Sequence, residues 1–143
     1  MNPFHYPATI TVDTAGFYLV TFPDVPEAGT DAQTREDALH DAGDTLIAAL
    51  GGYVQARRPI PRPSKAKPRQ VLVTLPTLVT AKLALYEAMR TGGVSNVELG
   101  RRLGLSEGAV RRLLDVDHRS HIGQVEAGLQ ALGHRLMVEV QAA

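Results

Sequence analysis

The chain has 143 residues, 44% of them hydrophobic, with no cysteine and a formal net charge of zero. That length suits one ordinary domain or two small ones. The missing cysteine excludes a disulfide framework, a thiolate nucleophile and a thiolate metal site, and no apolar run approaches the roughly 20 residues that a membrane helix needs. The opening residues, MNPFHYPATI, lack a basic segment followed by an apolar one, so a cytoplasmic protein without a secretory signal is expected.

The zero net charge hides an asymmetry. Residues 1–55 carry −7, residues 56–70 carry +6, and residues 71–143 carry +1. An acidic front and a basic middle imply two surfaces for different partners.

The first elements in chain order are strands. YPATITV places Tyr6, Ala8, Ile10 and Val12 on one side of a strand, and FYLVTF (17–22) predicts a second after the turn TAG (14–16). PDVPEAGT (23–30), with two prolines, predicts a loop or a short edge strand. Thr34 and Asp37 have the spacing of a capping box. Leu39, Ala42, Leu46, Leu50 and Tyr53 then recur at helical spacing, with Asp37, Asp41 and Asp44 on an acidic outer face. The stretch ARRPIPRPSKAKPRQ (56–70) holds four prolines and six cations. It reads as a stiff extended linker and as the best candidate boundary, its charge favouring solubility over contact with nucleic acid. VLVTL (71–75) predicts a further strand, so the front half is a small α+β layer.

Behind this the pattern turns helical. Residues 77–90 predict a helix closed by Gly92-Gly93, and residues 121–132 predict another with Ser120 as N-cap, Gly133 just past its end, and Ile122, Val125, Leu129 and Leu132 buried. The tail RLMVEV alternates like a short strand, which requires a partner within the chain or in a second copy.

The stretch NVELGRRLGLSEGAVRRLLD (96–115) reads as two helices rather than one. Glycine costs about 1 kcal/mol against alanine inside a helix, yet Gly100, Gly104 and Gly108 all fall here. In a two-helix reading, Gly100 lies where the helices cross, Gly104 takes the left-handed turn, and Ser106 caps the second helix. Leu99 and Leu103 pack on one side, and Ala109, Val110, Leu113 and Leu114 on the other. Gly100, Gly104, Leu105, Val110 and Leu113 match the small, glycine and aliphatic positions of a helix-turn-helix.

Its second helix would then offer Glu107, Gly108, Arg111 and Arg112 to a major groove. Arginine binds guanine O6 and N7 bidentately, and Glu107 either accepts from cytosine N4 or simply favours a helix N-terminus. Asn96 and Ser106, and Arg119 and Ser120 further on, stand at helix starts where phosphate can bind. Arg101 and Arg102 read as surface charge. His118 and His121 lack a clear third ligand, so no metal is expected.

Nearly the whole chain resembles the HicB family of antitoxins, in the subgroup with a C-terminal, phage-repressor-like helix-turn-helix. The resemblance rests on YPATITVDTAGFYLVTFPDVPEAGTDAQTREDAL, the IPRPS exit, LPTLVTAKLAL, HIGQVEAGLQALG and the final strand. The segment TDAQT (30–34) departs from the family by lacking a glycine. The resemblance implies an α+β protein with a partial ribonuclease-H-like, toxin-binding domain over residues 1–75, including the 56–70 linker. It implies a helix-turn-helix, DNA-binding and dimerisation domain over residues 76–143 that ends in a short strand. It further implies a small basic mRNA-cleaving ribonuclease, HicA-like, as the neutralised partner, operator DNA as the second partner, and self-association as a homodimer or higher oligomer. Asp24, Glu27 and Asp31 are the candidate toxin contacts.

Two rival readings are a nuclease and a free-standing regulator that senses a ligand or protein. A nuclease needs carboxylates converging on metal ions, whereas Asp13 and Asp24 fall by turns and the helix aspartates share a solvated face. No catalytic residue, cofactor or membrane partner is expected. The regulator reading would be favoured by a gene with no toxin-sized neighbour.

Overall fold

The computed structural model describes residues 4–142. They form two compact units, one ending at Pro76 and one beginning at Thr77.

The first unit is a four-stranded antiparallel sheet with one helix. Strands β1 (His5–Val12), β2 (Tyr18–Thr21) and β3 (Gly29–Ala32) precede helix α1 (Arg35–Gln55), and β4 (Val71–Thr74) follows it. The sheet order is β3-β2-β1-β4. β1 pairs with β4 over its first half, His5 opposite Thr74, and with β2 over its second half, Thr9 opposite Thr21. Pro7 thus lies where β1 has one neighbouring strand, a place that tolerates a missing N–H. The β1–β2 turn is set by Asp13, whose carboxylate accepts from the amides of Ala15 and Phe17 at 2.9 Å each. Tyr6, Ala8, Val20, Phe22 and Val25 are buried, but Val12 is 59% exposed, because β1 runs on past the core towards this turn.

The proline loop ends in an edge strand. Turns at Phe22–Val25 and Val25–Ala28 bury Val25 and Ala28, and β3 then begins at Gly29. Thr34 is the N-cap of α1 and accepts from the Asp37 amide at 3.1 Å. The buried stripe is Ala38, Ala42, Leu46, Leu50 and Tyr53, so Ala38 rather than Leu39 opens it. The helix continues through Gly51 and Gly52 because Leu50 and Tyr53 are anchored in the core on either side.

Composition alone marks residues 56–70 as a candidate boundary, while the 1–75 span that the resemblance implies contains them. They form an extended strap that belongs to the first unit. Ile60 is buried, the Tyr6 hydroxyl donates to the Pro61 carbonyl at 2.8 Å, and the Asp24 carboxylate accepts from the Ser64 amide and hydroxyl at 2.8 and 3.0 Å. Gln70 closes the strap by donating to the Thr9 hydroxyl at 3.2 Å. Composition marks this segment as extended, but a partner 55 residues away is invisible to composition.

The second unit comprises α2 (Thr77–Gly92), α3 (Asn96–Leu103), α4 (Glu107–Leu114) and α5 (Ile122–Ala131). Its core holds Val79, Leu83, Leu85, Met89, Leu99, Val110, Leu113, Val125 and Leu129. Gly128 lets α5 approach α2 closely, since a Cβ there would stand 3.0 Å from Leu85 Cδ1. Two expectations for this region are corrected. Ser120 does not cap α5; His121 occupies that position without a side-chain bond, and Ile122 is 41% exposed. The tail RLMVEV forms no strand among the described residues, and Met137 and Val140 are 82% and 92% exposed. Alternation alone cannot make a strand without a neighbour to pair with.

Candidate functional site

The stretch 96–115 folds as two helices because each end has its own local stop or start signal. Ser95 caps α3 and accepts from the Glu98 amide at 3.1 Å. Gly104 ends α3 at φ 70°, in the left-handed region that glycine enters without steric cost. Ser106 caps α4 and accepts from the Ala109 amide at 3.1 Å. At Gly100, a Cβ would collide with the Leu105 carbonyl oxygen, so a side chain here would force the two helices apart.

The result is one short helix with two distinct sides. Val110, Leu113 and Leu114 are buried, while Arg111 and Arg112 face solvent. Glu107 stands at the first turn of α4. It accepts from the Asn96 amide nitrogen at 3.3 Å and lies 3.2 Å from the Arg111 guanidinium. A Cβ on Gly108 would lie 3.6 Å from the nearest guanidinium nitrogen of Arg111 and 3.9 Å from that of Arg112. Asn96, Glu107, Gly108, Arg111 and Arg112 are therefore neighbours, while the Ser106 hydroxyl is engaged as the cap of α4. Arg112 has no acidic partner among the described residues, so its guanidinium is available to an anion or a base edge.

Arg101 and Arg102 are committed elsewhere. Both donate to Glu98, Arg101 at 2.7 and 2.9 Å and Arg102 at 3.0 Å. These bonds hold the Glu98 carboxyl down at about 2. Arg119 is exposed in the loop between α4 and α5. Ser120 is turned inward, and its hydroxyl accepts from the Lys82 ammonium at 2.8 Å.

Lys82 is the residue that pattern reading misses. It is fully buried, and its ammonium also donates to the carbonyls of Arg112 and Asp115, each at 2.9 Å. Burial pushes its pKa below the ordinary lysine value, and the Asp115 charge opposes that shift. A signal was present: with Val79, Tyr86 and Met89, Lys82 falls at the three- and four-residue spacing of α2's buried stripe.

The acidic candidates of the first unit are divided by their surroundings. Asp24 is occupied by Ser64. Glu27 accepts the Tyr53 hydroxyl and lies 3.7 Å from Arg58, whose guanidinium stacks 4.2 Å from the centre of the Tyr53 ring. Asp31 stands exposed on the edge strand β3. On the outer face of α1, the ligand atoms of His40, Asp41 and Asp44 lie within 4.8 Å of one another, all in exposed side chains as on a solvated helix face. Among the described residues no helix is long and apolar enough to cross a membrane.

A four-stranded sheet backed by one helix, followed by a helical unit in which α4 exposes Arg111 and Arg112, defines a mixed α+β protein of two compact units. Residues 5–84 match the family model described as the HicB-like antitoxin of bacterial toxin–antitoxin systems. Antitoxin HicB 1 of Photorhabdus laumondii is 35% identical over 95% of this chain and 86% of its own length. Antitoxin HicB of Pseudomonas fluorescens is 40% identical, covering 84% and 83%, and that of Escherichia coli K12 is 33% identical, covering 92% and 95%. The crystal structure of the N-terminal domain of Burkholderia pseudomallei antitoxin HicB aligns with 51% of this chain and 99% of that one, at 20% identity and a TM-score of 0.45. The chain belongs to the HicB-like antitoxin family.

Proposed function

We propose that this antitoxin binds and neutralises a small, basic, HicA-like mRNA-cleaving toxin through its first unit, and binds operator DNA through α3 and α4 as a helix-turn-helix. In this reading the first unit is a partial ribonuclease-H-like layer used for binding rather than catalysis. Its acidic side chains suit a partner whose own surface evolved to hold RNA. Asp31 is the best placed of the three acidic candidates, since Asp24 and Glu27 already have intramolecular partners.

The observation that carries the DNA reading is the two-sidedness of α4, with its apolar residues buried and Arg111 and Arg112 exposed in its last turn, their guanidinium groups reaching back towards Gly108 near the Ser106-capped N-terminus. Helices of this kind place their N-terminal half in the major groove, where arginine reads guanine. Arg119 adds a phosphate contact from the loop. The exposed tail, unpaired within the described chain, supports pairing with a second copy, as expected for a dimer that reads half-sites about one helical turn, or a multiple, apart.

The test combines co-expression with operator binding. The chain should rescue cells from the basic protein encoded next to it and should retard DNA from upstream of its own gene. Arg111→Ala and Arg112→Ala should each weaken operator binding by about 1–3 kcal/mol and leave rescue intact. A chain that neither binds its neighbour's product nor restores growth loses the antitoxin role. Unchanged operator affinity in both variants removes these arginines from base reading.

A further inference from the structure

Lys82 is the buried charged side chain among the described residues. Burying an unpaired ammonium is costly, so its presence needs an energetic reason. The structure supplies three acceptors for its three protons: the carbonyls of Arg112 and Asp115 at 2.9 Å, and the Ser120 hydroxyl at 2.8 Å. Arg112 and Asp115 lie at the C-terminal end of α4, where the helix dipole favours a cation; their carbonyls also accept backbone amides, Arg112 from Asp115 at 3.3 Å and Asp115 from His118 at 3.1 Å, so the ammonium adds a further bond to each. Ser120 lies beyond that helix, in the loop leading to α5. The Ser120 hydroxyl is in turn within 3.1 Å of His118 Nδ1. The ammonium on α2 therefore joins the end of α4 to the loop that carries His118, Arg119 and Ser120, alongside a longer 3.4 Å contact from the Ser120 hydroxyl to the Arg112 carbonyl and the His118 amide bond to Asp115.

We propose that Lys82 is a positioning residue for DNA recognition, holding the backbone of Arg112 in register with the loop that presents Arg119. The proposal rests on the DNA-binding reading of α3 and α4. Base readout and phosphate contact lie on different segments here, and specificity requires both to meet one duplex at once. A fixed link between the segments keeps their spacing constant. The same geometry removes Ser120 from the phosphate contacts, because its hydroxyl is engaged with Lys82 inside the unit.

The experiment compares full-length parent, Lys82→Met, Ser120→Ala, Ser120→Thr and Arg112→Ala for affinity to operator and to random duplex. Measurements are made below the thermal transition of each folded variant. Lys82→Met keeps the length of the side chain but removes the ammonium that joins the Arg112 and Asp115 carbonyls to the Ser120 hydroxyl. It should lower the operator-over-random ratio about tenfold or more, the scale of a lost bidentate base contact, and should reduce the salt dependence of binding as the loop's phosphate contacts loosen. Ser120→Ala should lower the ratio in the same direction and Ser120→Thr should restore it, which decides the matter if Lys82→Met does not fold. A merely structural lysine would lower the melting temperature and leave the ratio unchanged. Folded Lys82→Met, or Ser120→Ala in its place, with the parent's ratio overturns the proposal while a defective Arg112→Ala leaves the DNA reading standing. A parent chain that shows no preference for its operator overturns both.

Discussion

The Tyr53 hydroxyl donates to both carboxylate oxygens of Glu27, at 2.8 and 2.7 Å, and so ties the end of α1 to the proline loop. That bond is the main reason the Glu27 carboxyl sits below its ordinary value, and it raises the Tyr53 phenol in return. The sign for stability follows from each shift. Glu27 contributes stability above the ordinary carboxylate pKa and loses it as pH falls through its lowered folded value, while Tyr53 contributes below about 10 and loses it above. Tyr53→Phe should therefore cost about 0.5–1.5 kcal/mol near neutral pH, towards the low end because the carboxylate is half-exposed. Urea unfolding at pH 7 and at pH 3 checks this: the difference between parent and variant should shrink in acid.

The three acidic toxin-contact candidates should separate experimentally. Asp24→Asn disturbs the bond pair that holds Ser64 and should lower the melting temperature. Asp31→Asn removes an exposed charge with no acceptor role among the described residues, so stability should hold to within about 0.5 kcal/mol. If the edge strand faces the toxin, Asp31→Asn should slow association and flatten its salt dependence, as loss of a rim charge does. Stopped-flow binding at two ionic strengths measures both.

What could be read from sequence depended on range. The α3–α4 turn was legible because its signals are local: Gly104 supplies the left-handed residue and Ser106 caps its own helix three residues on. The front strands follow from alternation and the TAG turn (14–16). What packs the strap against the sheet is non-local: Tyr6–Pro61 and Asp24–Ser64 join residues 55 and 40 apart, which composition cannot show. Ser120 looked like a cap from its position, yet a buried lysine 38 residues earlier takes its hydroxyl. The tail shows why alternation is insufficient: Val138 and Val140 keep the pattern but have no strand beside them among the described residues.

Glu98 holds both Arg101 and Arg102 in ion pairs, at 2.7 and 3.0 Å. Its carboxyl, held at about 2, contributes to stability above roughly 4.5 and loses that contribution as pH falls through about 2. Glu98→Gln should remove this acid dependence and release Arg101 and Arg102 from their ion pairs. Binding to random duplex should then tighten, with the salt slope steepening by up to about 2, one for each freed cation that reaches a phosphate. Operator preference should fall, because the gain is blind to sequence.

Arg57 is the one non-glycine described residue with positive φ, at 57°. It follows α1 in a left-handed cap in which the Arg58 amide reaches back to the Tyr53 carbonyl at 2.9 Å. A left-handed residue with a side chain costs about 1–2 kcal/mol. Arg57→Gly should stabilise the first unit by about 0.5–1 kcal/mol once glycine's greater freedom in the unfolded chain is subtracted. A higher urea midpoint with unchanged slope is the expected result, and a lower midpoint contradicts the cap assignment.

Gly100 gives the sharpest test of the two-helix arrangement. A branched side chain there would meet the Leu105 carbonyl oxygen and the Val110 side chain, whose Cγ2 lies 3.5 Å from the position of a Cβ. The carbonyl belongs to the backbone of the turn and cannot rotate away as a side chain would. Gly100→Val improves local helix propensity slightly, but overpacking should outweigh this and destabilise the second unit by about 1–3 kcal/mol. The effect should remain in that unit: operator binding is lost, while toxin capture by the first unit persists in pull-down from the co-expressed pair. Equal loss of both activities would mean that the two units do not fold independently, and unchanged operator affinity would mean that α3 and α4 do not need this close crossing to present Arg111 and Arg112.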